Sequence, residues 1–123
     1  MDSNNGNPQI EFCKLNNTNC LKFSFNGELA ESEAKVAVNE WKHLFESKNG
    51  EKLTLVWDCN KMTGYDPGAR LVWQNALNEF KNQISSIWVV SKSNMIRSGA
   101  MIIAMLTKYN IKVVQTESEL FVS

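Results

Sequence analysis

What this sequence has little of narrows its chemistry first. It has one histidine, His43, in 123 residues, which leaves no partner for a histidine-based metal site. The three cysteines, Cys13, Cys20 and Cys59, show no Cys-x-x-Cys spacing, so no metal is expected. An odd thiol count fits a reducing compartment, and the two thiols that flank a polar turn, Cys13 and Cys20, are expected to be free. Neither sign of charge is in excess, since 13 basic residues balance 13 acidic ones. The electrostatic footprint of a nucleic-acid or anionic-membrane binder is therefore missing. No apolar run approaches the roughly 20 residues needed to span a bilayer. Neither a G-x-G-x-x-G nor a Walker loop is present, so no dinucleotide or nucleotide cofactor is expected. The first eight residues, Met1 to Pro8, have no basic segment followed by an apolar one, so they are not a signal peptide. Residues 1–9 read as a polar, disordered leader, residues 10–123 as one domain, and the location as cytoplasmic.

What is present is organised around residues 53–73. The apolar run Leu53 to Trp57 stops at Asp58, a polar stretch containing Gly64 follows, and Asp66-Pro67 opens an amphipathic helix. A buried strand entering a helix has this pattern. Upstream, residues 10–15 and 20–26 read as an antiparallel hairpin around the polar turn 16–19, with Leu21, Phe23 and Phe25 alternating against Lys22, Ser24 and Asn26. Asn26-Gly27 is expected to end the second strand. Ala34, Ala37, Val38, Trp41, Leu44 and Phe45 recur at helical spacing behind the acidic Glu31 and Glu33, and Gly50 suits the cap that follows. Downstream come the strand Ile87 to Val90, a very apolar helix over about 95–108, and a last strand over 111–115. The tail is expected to turn Leu120 and Phe121 inward. The order β-β-α-β-α-β-α-β predicts an α/β fold with a mixed sheet of four to five strands, the later ones parallel. The unbroken apolar run of Leu53 to Trp57 further predicts helices on both sheet faces.

This order resembles the STAS superfamily, and within it the SpoIIAA-like branch. The residues that carry the likeness are Phe25-Asn-Gly27-Glu-Leu29, the strand ending in Asp58, the stretch Gly64-Tyr-Asp66-Pro-Gly-Ala69, and the strand Ile87 to Val90. The resemblance spans about residues 10–116 and implies non-catalytic work: partner binding, in some members with a nucleotide or lipid ligand. Antagonists of the sigma-switch type in this superfamily carry a phosphorylatable serine just after the aspartate that begins the second helix. Here Asp66 matches that aspartate, and Pro67 and Gly68 follow it. The phospho-switch is therefore not expected, and Thr63 lies nearby but in the wrong part of the loop to replace it.

Several groups of residues invite a functional reading beside a plain one. Asp58, Tyr65 and Asp66 are expected to converge at the carboxyl end of the parallel strands, where open α/β sheets bind ligands. Two carboxylates there would do acid-base work, or else Asp66 merely caps its own helix ahead of Pro67 and Asp58 serves loop amides. His43 falls on the polar side of its helix beside Lys42, where a solvent-exposed side chain is expected rather than one half of a nucleophilic pair. Ser93, Asn94 and Arg97 sit at the start of the third helix, which would either hold an anion on free amides or simply be capped. Met101 and Met105 fall on that helix's nominally exposed face, where soft apolar side chains mark a partner or a ligand. Trp41, Trp57, Trp73 and Trp88 are either core or the walls of an apolar pocket. Together these predict a regulatory or protein-protein interaction module that works through the third helix and the 60–68 stretch, with a partner protein or a second copy. The alternative is a carrier of a lipid or other apolar small molecule.

Overall fold

The computed structural model describes residues 6–121. Seven-residue strand β1 (Gln9–Leu15) turns into the longer β2 (Thr18–Leu29). The turn is tighter than the four residues expected: Leu15 pairs directly with Thr18, leaving Asn16 and Asn17 as the loop, both at positive φ, 50° and 64°. Asparagine tolerates this left-handed region, and two such residues match the right-handed twist of the strands they join. The rest alternates: α1 (Glu31–Ser47), β3 (Leu53–Tyr65), α2 (Pro67–Glu79), β4 (Ile84–Val90), α3 (Asn94–Thr107) and β5 (Ile111–Val114). The five strands lie side by side in chain order. β1 and β2 are antiparallel and the remaining pairs are parallel.

That strand order overturns one expectation. Because β2 to β5 step across the sheet in a single direction, successive crossovers of one hand deliver every helix to the same face. The buried residues of all three helices, among them Trp41, Trp73 and Ile103, join one core cluster with Phe23, Leu55 and Val89 of the sheet. Among the described residues, the other face carries no α-helix. Its apolar patch of Cys20, Val56, Trp88 and Val90 is covered instead by the C-terminal segment, through Leu120 and Phe121. The Phe121 ring meets Trp88 edge-on at 5.3 Å, Asn16 Nδ2 donates to the Leu120 carbonyl, and Lys22 pairs with Glu117 at 2.8 Å. The apolar run in β3 is thus explained by two unlike covers.

Two further expectations fail for one reason. β2 does not end at Asn26-Gly27, nor is 60–65 a loop. Asn26 to Leu29 pair in parallel with Lys61 to Tyr65, past two register shifts, and the second shift falls at Gly27, whose φ of +71° suits a residue without a side chain. β4 stops pairing at Asp58, so the ends of β2 and β3 form a two-stranded arm that extends past the sheet. The expected leader is also packed from Asn7 onward. Its side-chain amide donates to the Asn26 carbonyl at 2.8 Å and its Oδ1 accepts from the Asn26 amide. Pro8 is buried, and residues 1–5 lie outside the described residues. Among the described residues, no helix is long and apolar enough to cross a membrane.

Candidate functional site

The arm decides where the candidate side chains go. Asp58 projects to the helix-free face, since strand alternation sends Trp57 and Cys59 to the helix side. Its Oδ1 accepts from the Asn60 amide at 3.2 Å. Asp66 lies eight residues on, with seven of those steps in extended strand, a separation on the order of 20 Å. The two carboxylates therefore do not converge, which corrects the expectation of a shared acidic site. Nor does Asp66 cap its own helix with its side chain. Its Oδ2 instead accepts from the Glu31 amide at 2.9 Å, in the first turn of α1, and its own amide donates to the Leu29 carbonyl. Proline at the head of α2 leaves that helix one fewer amide to satisfy, and the parallel pairing of the arm brings the start of α1 within reach. Asp66 is a clasp between the two crossovers.

Tyr65 ends the arm half-buried, and its ring lies over Gly99 of α3. A Cβ at Gly99 would run into the Tyr65 hydroxyl and lie 3.0 Å from the ring carbon that bears it. A bare glycine in mid-helix is what lets the arm seat on α3. Thr63 is exposed on the arm, and Gly64 sits close to the Met95 side chain.

At the start of α3 the capping reading holds for Ser93, whose Oγ accepts from the Ile96 amide at 3.3 Å. Arg97 is half-buried and donates to the Ser91 carbonyl at 3.1 Å, while Asn94 is exposed as the first residue of the helix. Arg97 is thus turned onto the preceding loop. Along the helix Met101 is 49% exposed and Met105 74%. Three residues that the sequence reading did not single out join them: Met95, Ile102 and Leu106, all exposed. At about 100° per residue these five fall within roughly 140° of the helix circumference, an apolar stripe that shares this arc with the exposed Asn94 and Ser98 and adjoins the arm at Gly64 and Met95.

Behind α3 lies a cavity of about 60 Å³. Phe25, Trp57 and Val89 contribute from the sheet, Trp73 from α2, Ala100 and Ile103 from α3. Met62, Tyr65 and Arg70 also line it and are only half-buried, which places them at its rim. All four tryptophans are core residues, at most 7% exposed, yet the indole N–H groups of Trp41, Trp57 and Trp73 have no hydrogen-bond partner among the described residues. Buried polar groups are usually paired. The Trp73 ring meets Trp41, Trp57 and Phe23, and Trp41 also meets Phe23, at centroid distances of 5.1–6.3 Å. Burial, then the neighbouring Asp58, pushes the Cys59 thiol up to about 12, so it stays neutral. His43 is exposed, with Nδ1 2.9 Å from the Asn39 carbonyl of its own helix.

No protein-family model matches the chain, and no curated protein does either. Solved structures do. An uncharacterized protein of the DUF3478 family with a SpoIIAA-like fold, from Shewanella loihica PV-4, superposes with a TM-score of 0.76 over 97% of this chain and 94% of its own, at 11% identity. The chain has a SpoIIAA-like fold. The anti-sigma factor antagonist SpoIIAA in its unphosphorylated form is also similar, with a TM-score of 0.61 over 89% of this chain and 91% of that one, at 9% identity. At such identities the likeness is one of backbone. The SpoIIAA-like frame accounts for the mixed sheet and for the helices gathered on one face, while the apolar stripe and the clasp are properties of this chain's own residues.

Proposed function

We propose that this protein is a non-catalytic, STAS-like regulatory or interaction module that docks a protein through the outer face of α3. The observation that carries the reading is the apolar stripe of Met95, Met101, Ile102, Met105 and Leu106. Water-facing helix residues are ordinarily polar, and an exposed, largely apolar stripe on a folded domain, here interrupted only by Asn94 and Ser98, is where a partner excludes water. Methionine adds adaptability, because its unbranched thioether chain repacks against differently shaped surfaces. The SpoIIAA-like fold supports the same reading. The separation of Asp58 from Asp66, and the occupation of Asp66 by the α1 amide, supply no acid-base pair. With Pro67 and Gly68 after Asp66, regulation through a serine at that place is not part of the proposal. The docking face is α3 together with the tip of the arm, rather than a free 60–68 loop.

The test is affinity capture from the cells that make the protein, using the wild-type chain, the M101K/M105K variant and a control with Glu40→Lys on the exposed face of α1. The variant is expected to keep its fold, because both methionines already face solvent, and to lose a partner, or a second copy, that wild type and control retain. A partner held equally by all three would place the contact elsewhere. An unfolded variant would show that the stripe belongs to the core.

A further inference from the structure

Two of the free cysteines face each other. Cys13 of β1 lies directly opposite Cys20 of β2, and opposite residues of an antiparallel pair point to the same side of the sheet. Here that is the helix-free side, where both pack in the patch that Leu120 and Phe121 cover. Opposite residues have Cα atoms about 4.5–5.5 Å apart, inside the range of roughly 4.4–6.8 Å that a disulfide spans. Their Cβ atoms stand about 4.5–5.5 Å apart, against about 3.8 Å in a bridge, so closing one draws the strands together by on the order of 1 Å. β1 has room to yield, because it is an edge strand. Cys59 is set apart from the pair, buried in the core beneath the helices.

We propose that Cys13 and Cys20 form a reversible modification site, a dithiol that a low-molecular-weight disulfide of the glutathione type oxidises to a cross-strand bridge. The two thiols differ in access. Cys20 is 1% exposed and its thiol donates to the Thr18 carbonyl at 3.2 Å, whereas Cys13 is half-buried. Cys13 is therefore the entry point. Its thiolate attacks one sulfur of the small disulfide; that S–S bond breaks, a new one forms to Cys13, and one small thiolate leaves. Cys20 then gives up its proton to solvent and attacks Sγ of Cys13, expelling the second small thiolate. Two protein thiols are oxidised, one small disulfide is reduced to two thiols, and no further reactant is needed. Burial raises the Cys13 thiol above its ordinary value and Lys22 draws it part of the way back, so thiolate is scarce at pH 7 and the exchange is slow there. A bridge that pulls its strands inward is strained and readily reduced, as regulatory disulfides are. Its place gives it something to act on: the hairpin it staples carries Asn16 and Lys22, which hold Leu120 and Glu117 of the C-terminal segment.

The full chain, folded and fully reduced, is incubated with oxidised glutathione at pH 8 and followed by intact and peptide mass spectrometry. Wild type and Cys59→Ser are expected to pass through a single glutathione adduct on Cys13 to a product lighter than the reduced chain by two hydrogens, with Cys13 and Cys20 in one linked peptide. Cys20→Ser should stop at the adduct. Cys13→Ser should react about 10-fold more slowly or less, at thiols that burial shields. Bridge formation should speed up about 10-fold per pH unit between pH 7 and 8, as a thiol titrating above that range requires. Excess reduced glutathione should return both thiols on the folded chain. The proposal is overturned if wild type stays unmodified or stops at the adduct, if the adduct or bridge involves Cys59, if bridging requires urea, if its rate ignores pH, or if reduced glutathione cannot open the bridge. Should a serine variant fail to fold, the linked peptide, the pH dependence and the reversal in wild type still decide.

Discussion

Gly99→Ala is a substitution whose sign depends on one contact. In the interior of an exposed helix, alanine for glycine stabilises by about 0.8–1.0 kcal/mol, because glycine loses more backbone freedom on folding. At position 99 the new methyl group would occupy the space of the Tyr65 hydroxyl and crowd the carbon that bears it. Tyr65 must then leave its seat, and overpacking of this kind costs about 1–3 kcal/mol. The two effects oppose, and the net expectation is a loss of up to about 2 kcal/mol. For a chain of 123 residues with an unfolding entropy of about 2.1 cal/mol/K per residue, 1 kcal/mol corresponds to roughly 4 °C in Tm. Wild type should therefore lose up to about 8 °C. In a Tyr65→Ala background the obstacle is gone and the same Gly99→Ala change should raise Tm by about 4 °C. The four proteins form a double-mutant cycle, read by thermal and urea unfolding, with an expected coupling of about 1–3 kcal/mol. Stabilisation of wild type by the full helix-propensity gain, or a coupling near zero, would refute the seating of the arm on α3.

Three other outcomes follow from the same geometry. Asp66→Ala should cost about 0.5–2 kcal/mol and speed hydrogen exchange at the Glu31 amide, which accounts for the lost bond; faster exchange in the first turn of α2 instead would show that Asp66 caps its own helix. Under native alkylation at pH 8, half-buried Cys13 should react first, Cys20, pushed up to about 11 chiefly by burial, next, and Cys59, at about 12, last; peptide mass spectrometry reads the order. Glu119 accepts the Thr116 and Gln115 amides, which hold its carboxyl below the usual range. A lowered carboxyl stabilises the folded form above its unfolded pKa and loses that contribution as pH falls through the folded value. The C-terminal cover should thus stay docked from pH 7 to 5 and loosen below about pH 4, seen as a change at the Trp88 indole signal that Glu119→Ala shows already at pH 7.

The sequence spoke most clearly where a single element decides its own pattern. The period-two face of Leu21, Phe23 and Phe25, the helical spacing of Ala34, Ala37, Trp41 and Phe45, and the apolar cores of β3 and β4 all form the expected elements. It was misleading where two elements decide together. Lys61, Thr63 and Gly64 look like loop residues because an arm outside the sheet body need not be apolar; pairing with Asn26 to Leu29 makes them a strand. Asp66-Pro67 reads as a local cap because spacing alone cannot show that α1 starts beside it. An apolar β3 implied two covers but not that one of them is the C-terminal segment. On α3 the even distribution of apolar residues hid which side faces water. Met101 and Met105 could be placed outside from the line through Arg97 and Lys108, whereas Met95, Ile102 and Leu106 needed the packing of Ile96, Ala100 and Ile103 to be located.

The outer face of α3 can be interrogated in place. A photo-crosslinking residue at position 105 of the otherwise wild-type protein, expressed in its own cells, reports what lies against Met105, the most exposed residue of the stripe; the same residue at position 40 of α1 is the reference. The account predicts a discrete protein adduct, to a partner or to a second copy, from position 105 and not from position 40, and its disappearance when Met101→Lys is added. An adduct from position 40 with none from position 105 would contradict it.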